Sequence, residues 1–227
     1  MDAFNRLSDY DVFAYLPQGF FALAAIDYLF GTAFVIHASW DVPKGVLVIF
    51  SAYAGGHIIA SPSSRFIERW LVHGIMGQPA LHLLKAEKKP KFWGWVFNDY
   101  YTPLADPVRL KILNKLKQPE IGSEQGESLF WTAYPVAKKD EPTQKRLSTF
   151  INLYGFCRNV SFVAITSALA ILLQQIWFVC RTEASWETER IAVALCIFAL
   201  GIAMFQRFLK FYRLYSVEVF TTFSSSD

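Results

Sequence analysis

The sequence predicts an all-α membrane protein with four transmembrane helices and a small, mostly helical cytoplasmic domain between spans two and three. Three observations carry that expectation. Of the 227 residues 53% are hydrophobic and 17% aromatic, above the composition of soluble domains. The excess is gathered into a few long runs almost free of charge, where a soluble surface helix would show a stripe. Basic residues are also distributed unevenly between the segments that join those runs.

The runs are Phe20–Ala38, Gly45–Ala60, Val160–Val179 and Ile191–Phe205. A spanning helix needs roughly 20 mostly apolar residues. The second and fourth runs fall short and are expected to extend on their inner side, the second through Ser61 and the fourth through Arg207, whose long side chain reaches the interface.

Topology follows from charge. Between spans two and three lie Arg65, Arg69, Lys85, Lys88, Lys89 and Lys91, and the tail carries Arg207, Lys210 and Arg213. The segments joining the other spans are poor in net positive charge. The bias toward positive residues on the inner side then makes the middle segment and both termini cytoplasmic, at the bacterial inner membrane. Trp40, Trp177 and Trp186 fall at the outer interface, where aromatic anchors concentrate. Residues 1–18 carry Asp2, Asp9 and Asp11 against Arg6, the opposite of a signal-peptide flank, so insertion through the first span is expected.

Three segments are expected along the chain. Residues 1–85 form a transmembrane helix pair with an interfacial helix, 86–146 the cytoplasmic domain, and 147–227 a second pair with a helical extension. The interfacial helix covers 61–85, with Ser61 as N-cap and Pro62 at the first helical position. In the cytoplasmic domain the clearest helix is Asp106–Leu116, with Asp106 as N-cap and Val108, Ile112 and Leu116 on one face. A shorter helix covers Ser123–Tyr134. The aromatic cluster WGWVFNDYY (94–101 with Trp93) reads as a small core or a contact with the membrane surface. Phe208, Tyr212 and Tyr215 recur at helical spacing in the tail, which suits a helix lying on lipid or on a partner. The final FSSSD is expected to fray.

Leu104–Leu116, LADPVRLKILNKL, resembles the opening helix of arsenic-repressor-type winged-helix regulators over 13 residues. The family's recognition helix and wing do not follow it, so no nucleic-acid partner is expected and no residue role is carried over.

Polar residues within the spans are the candidate functional groups. Asp27 in span one costs about 2.5–3.5 kcal/mol at mid-bilayer on insertion scales, so it must face protein or water. It pairs with His57 by depth, or with the hydroxyls of Tyr28 and Tyr53. Gln174 and Gln175 in span three are too polar for lipid and suit contacts between helices. Ser51, Ala52, Gly55 and Gly56 give span two a small-residue face, with Ala24 and Gly31 as the opposing surface in span one or a neighbouring subunit as the alternative. Ser61, Arg65, Glu68, Arg69 and His73 form a cationic collar at the inner surface, suited to lipid phosphate or an acidic partner.

No metal site and no cofactor are expected: Cys157, Cys180 and Cys196 are scattered, without CxxC or Cys/His spacing. No catalytic motif is present. The expected function is a non-enzymatic, oligomeric inner-membrane subunit that couples a cytoplasmic protein, docked on residues 86–146, to the bilayer. By architecture alone it suits prokaryotic antiviral or stress defence. A small channel or transporter using Asp27 and His57, and a lipid-modifying enzyme using His57, Ser61, Arg65 and Glu68, are the alternatives. The net charge of +3 is explained by anionic lipid head groups at the inner face.

Overall fold

The computed structural model describes residues 9–32, 34–36, 41–85, 91–116, 126–182 and 185–226. These are 88% helical and contain no strand. The start of the chain, Trp40, and the expected Ser123 onset of the helix that reaches Tyr134 lie outside them.

Helix α1 runs over Asp9–Phe30 and stops at Gly31, whose φ of +62° only glycine adopts without strain. Relative to the expected span Phe20–Ala38, this helix begins eleven residues earlier and ends eight earlier. It carries Pro17 and Asp27. Helix α2 covers Val42–Ser63, capped by Asp41, whose Oδ1 accepts the Lys44 N–H at 2.9 Å.

Beyond α2 the sequence reading is corrected. Ser61 does not cap a new helix: α2 runs through Pro62 and continues without a break as a π-helix over Ser64–Met76. Proline has no N–H to donate and its ring crowds the carbonyl four residues back. The Ser64 N–H is shared between the Ala60 and Ser61 carbonyls just past it. From there the wider i→i+5 pattern takes over, for 13 residues, where single-turn π-bulges are the common form. Gly77, at φ +82°, ends the run.

Six further helices follow: α3 Pro79–Leu84, α4 Lys91–Val96, α5 Asp106–Lys115, α6 Gly126–Ala137, α7 Glu141–Thr182 and α8 Thr188–Ser225, with a 3₁₀ turn at Asn98–Tyr101. In α5, Asp106 is the first helical residue, not the cap, and pairs with Arg109 at 2.7 Å. Among the described residues, three helical runs are long and apolar enough to cross a membrane: Val42–Leu84, Glu141–Arg181 and Thr188–Ser225. That length and apolarity mark a membrane protein; α1, the helix of the first expected span, is not one of the three.

Residues 1–67 and 155–205 form one compact unit and 68–154 and 206–227 a second. In the first unit small residues lie inside, among them Ala52, Ala164, Ala168 and Ala194, while Phe50, Ile58 and Leu173 face outward. Small residues between helices and large ones outside are what lipid as a solvent selects. Ser161 Oγ donates to the Gly201 carbonyl at 2.9 Å, and a Cβ on Gly201 would sit 2.7 Å from Ile165 Cγ1, so α7 and α8 approach closely there.

The second unit has an ordinary hydrophobic core: Leu83 and Leu84 of α3, Ile112 of α5, Leu129 and Phe130 of α6, and Leu147 of α7. Tyr215, Val219, Phe220 and Phe223 of α8 run through it. The end of α8 is therefore a central post, not a helix resting on lipid. It is also tied down: Lys115 Nζ donates to the Phe223 carbonyl at 3.0 Å and to Ser226 Oγ at 2.8 Å, so Phe223–Ser226 are held where fraying was expected, and Asp227 lies outside the described residues.

Candidate functional site

Asp27 does not meet His57. Its carboxylate closes the turn that follows its own helix, accepting the N–H groups of Phe34 at 2.7 Å, Val35 at 2.9 Å and Ile36 at 2.7 Å, with the Thr32 hydroxyl on Oδ1. Gly31 turns the chain back so that these three amides point at one carboxylate. His57 lies on α2 with its ring stacked on Tyr15 at 4.0 Å and edge-on to Tyr53 at 4.6 Å.

Gln174 donates to the Leu29 carbonyl at 2.8 Å and accepts from Arg190 Nη1 at 3.2 Å, closing the last turn of α1. Gln175 is buried. Three polar residues here escaped the sequence reading. Gln18, fully buried, donates to the Gly56 carbonyl at 3.0 Å. Ser63 and Asn159, also buried, bond through the Ser63 hydroxyl and Asn159 Oδ1, which Arg158 Nε approaches at 3.2 Å. Gln18 lies just before the apolar run that starts at Phe20, so hydropathy does not mark it as a residue within a span. Ser63 and Asn159 lie 96 residues apart, so no local pattern links them.

The small-residue face of α2 divides. Ala52 and Gly56 are buried against α1: a Cβ on Gly56 would overlap the Tyr15 carbonyl, and one on Gly19 would overlap the Ala52 carbonyl. Ser51 is half-buried and Gly55 faces open space. The closest approach of α1 to α2 is thus at Tyr15 and Gly19; a Cβ on Gly31 would meet nothing within 4 Å, and Gly31 serves as the helix terminator.

The collar divides as well. Ser61 and Arg65 are exposed. Arg69 is exposed, Glu68 half-buried, and His73 half-buried in the second unit. His73 is the collar residue around which other polar groups gather. Its Nε2 lies 2.8 Å from the Tyr212 hydroxyl, and Gln78 Nε2 approaches its Nδ1 at 3.5 Å. Gln78 donates to Glu127 Oε2 at 3.0 Å. An amide donor on Nδ1 leaves the proton of a neutral ring on Nε2, directed at the Tyr212 oxygen.

The end of the π-helix is built on the same side of the sequence. His82 Nε2 donates to the Met76 carbonyl at 2.8 Å and the Tyr100 hydroxyl to the Gly77 carbonyl at 2.7 Å. Two carbonyls that a helix end leaves unpaired are so satisfied. Tyr101 packs edge-on to His82 at 4.6 Å. Arg213 Nη2 donates to the Thr102 carbonyl at 2.9 Å and holds the following turn.

Burial pushes the Tyr100 hydroxyl well above its ordinary value and that of Tyr101 up to about 12, so both stay protonated. The bond from Gln78, then that from Trp131, holds Glu127 below the usual carboxylate range. At neutral pH the row Glu127–Gln78–His73–Tyr212 therefore has one fixed negative end. Sequence alone gave His73; Gln78, Glu127 and Tyr212 come from three other helices or turns and share no motif with it.

Among the described residues no group of three or more His, Cys, Asp or Glu could hold a metal ion. No protein-family model, curated protein or solved structure matches the chain.

Proposed function

We propose that this protein is a non-enzymatic, homo-oligomeric subunit of a bacterial inner membrane that couples a cytoplasmic partner to the bilayer. One observation carries the reading: two spanning helices, α7 and α8, continue unbroken beyond their apolar stretches, and their other halves build the second unit. Leu147 of α7 and Val219 and Phe220 of α8 are core residues of that unit. A change in the bilayer acting on either helix is delivered to a folded, water-facing module without an intervening linker.

In this reading α1 is the fourth membrane-embedded helix, held against α2 and exposing Ile26 and Phe30 to lipid or to a second copy. The positively charged middle segment and both termini lie in the cytoplasm. The polar residues of the first unit support a structural rather than a conducting role, since Asp27, Gln18, Gln174, Ser63 and Asn159 each bond within the unit.

The test is hydrogen exchange of the full chain in nanodiscs made of short-chain and long-chain lipids. Coupling predicts a several-fold change in exchange over residues 126–137, which lie outside the candidate spans. Identical exchange of that helix in both bilayers would refute it. Mass measurement in the same discs decides the stoichiometry.

A further inference from the structure

The aromatic cluster around residue 95 is not one object. Tyr100 and Tyr101 are core residues of the second unit, whereas Phe92 and Trp95 of α4 are 66% and 84% exposed. The two are three residues apart on one helix and so lie on the same face. Trp93 and Phe97 stack on each other at 5.9 Å behind them, and Gly94 is buried, so the helix has an inner side already packed and an outer side that is aromatic. A helix of six residues has little stability of its own in water.

The sequence next to it has a definite charge. Lys85–Lys91, KAEKKPK, holds four lysines and one glutamate. This stretch joins α3 to α4 within the second unit. Exposed Trp and Phe beside a lysine-rich stretch, attached to a membrane protein, match the interfacial zone of an anionic leaflet. Aromatic rings of this kind favour the headgroup region, and a lysine-rich sequence is attracted to anionic lipid.

We propose that the Phe92–Trp95 face of α4 docks on the anionic surface of the membrane and anchors the second unit to it. The anchor rests on the chain being a membrane protein and not on the coupling proposed above, so each can fail alone. An acidic protein surface or a second copy of the chain would cover the face from both water and lipid, which separates those occupants from a bilayer.

The experiment places a nitroxide at residue 92 of the full chain. Phe92→Cys is combined with Cys180→Ser and Cys196→Ser; Cys157 is buried. The protein is reconstituted in phosphatidylcholine vesicles with and without phosphatidylglycerol. Lys111→Cys, on the exposed side of α5, is the aqueous control. Docking predicts a ratio of oxygen to nickel-chelate accessibility several-fold higher at 92 than at 111, rising further with phosphatidylglycerol. An aqueous profile at 92, shielding from both relaxants, or no response to phosphatidylglycerol overturns the proposal. A second measurement leaves Phe92 in place: brominated lipid should quench wild-type tryptophan emission more than that of Trp95→Phe. Equal quenching counts against docking even if the labelled variant misfolds.

Discussion

Gly19 of α1 lies directly against the backbone carbonyl of Ala52 in α2, with no room for a Cβ between them. One turn along, Gly56 of α2 meets the Tyr15 carbonyl in the same way. The two glycines let two helix backbones touch, and the Gln18 amide closes the contact by bonding to the Gly56 carbonyl at 3.0 Å. This is how a helix with Pro17 and Asp27 inside it is held in place: by backbone approach and one buried amide, more than by large apolar side chains.

Gly19→Ala and Gly56→Ala should each destabilise the helix pair, by about 1–3 kcal/mol or more, because the clash is with backbone that cannot rotate away. Gly55→Ala is the internal control. It has nothing within 4 Å, and alanine in a helix is favoured over glycine by about 0.5–1 kcal/mol. Unfolding in detergent should therefore rank Gly55→Ala at or above wild type and the other two clearly below. Equal losses at all three positions would mean that the α1–α2 contact is not where stability resides.

Asp27 should behave as the staple of the turn it closes. Asp27→Ala leaves the amides of Phe34, Val35 and Ile36 without their acceptor. Their hydrogen exchange should accelerate by at least about ten-fold while α2 exchanges as before. Asp27→Asn keeps one acceptor oxygen and should fall between. Proton flux into vesicles that disappears in Asp27→Asn, with exchange at 34–36 unchanged, would return this carboxylate to ion handling.

The residues themselves explain what was legible in the sequence. The apolar runs of α2, α7 and α8 are long and continuous, and hydropathy finds such helices without any knowledge of contacts. Span one was misplaced because Phe20–Ala38 is apolar past Gly31, and hydropathy does not register a positive φ. Ser61-Pro62 carries every mark of a helix start, yet α2 passes through it, since the i→i+5 pattern beyond offers the carbonyls other donors. His73 was visible as a charged-surface residue. Its bond to Tyr212, 139 positions away, depends on tertiary packing that no spacing encodes. Phe208, Tyr212 and Tyr215 did announce a buried stripe, but periodicity does not tell a stripe facing lipid from one facing a protein core.

Asp140 offers the clearest dependence on pH. It stands before α7, and its Oδ2 accepts the Thr143 N–H at 3.0 Å, the bond of an N-cap. The Thr143 hydroxyl, and after it that N–H, hold the Asp140 carboxyl below its ordinary range. A carboxylate with a depressed folded value contributes stability that is fully present above its unfolded value near about 3.9 and is lost as pH falls through the folded one. Asp140→Ala should therefore melt a few degrees below wild type at neutral pH, and the gap should close as the buffer is taken below about pH 4. Other carboxylates titrate in both proteins and cancel in the difference. Asp140→Asn caps nearly as well without a charge, so its offset from wild type should be smaller at neutral pH and should turn in its favour at acid pH. A gap between Asp140→Ala and wild type that is the same at pH 7 and in acid would show that the ionised cap contributes nothing to the start of α7.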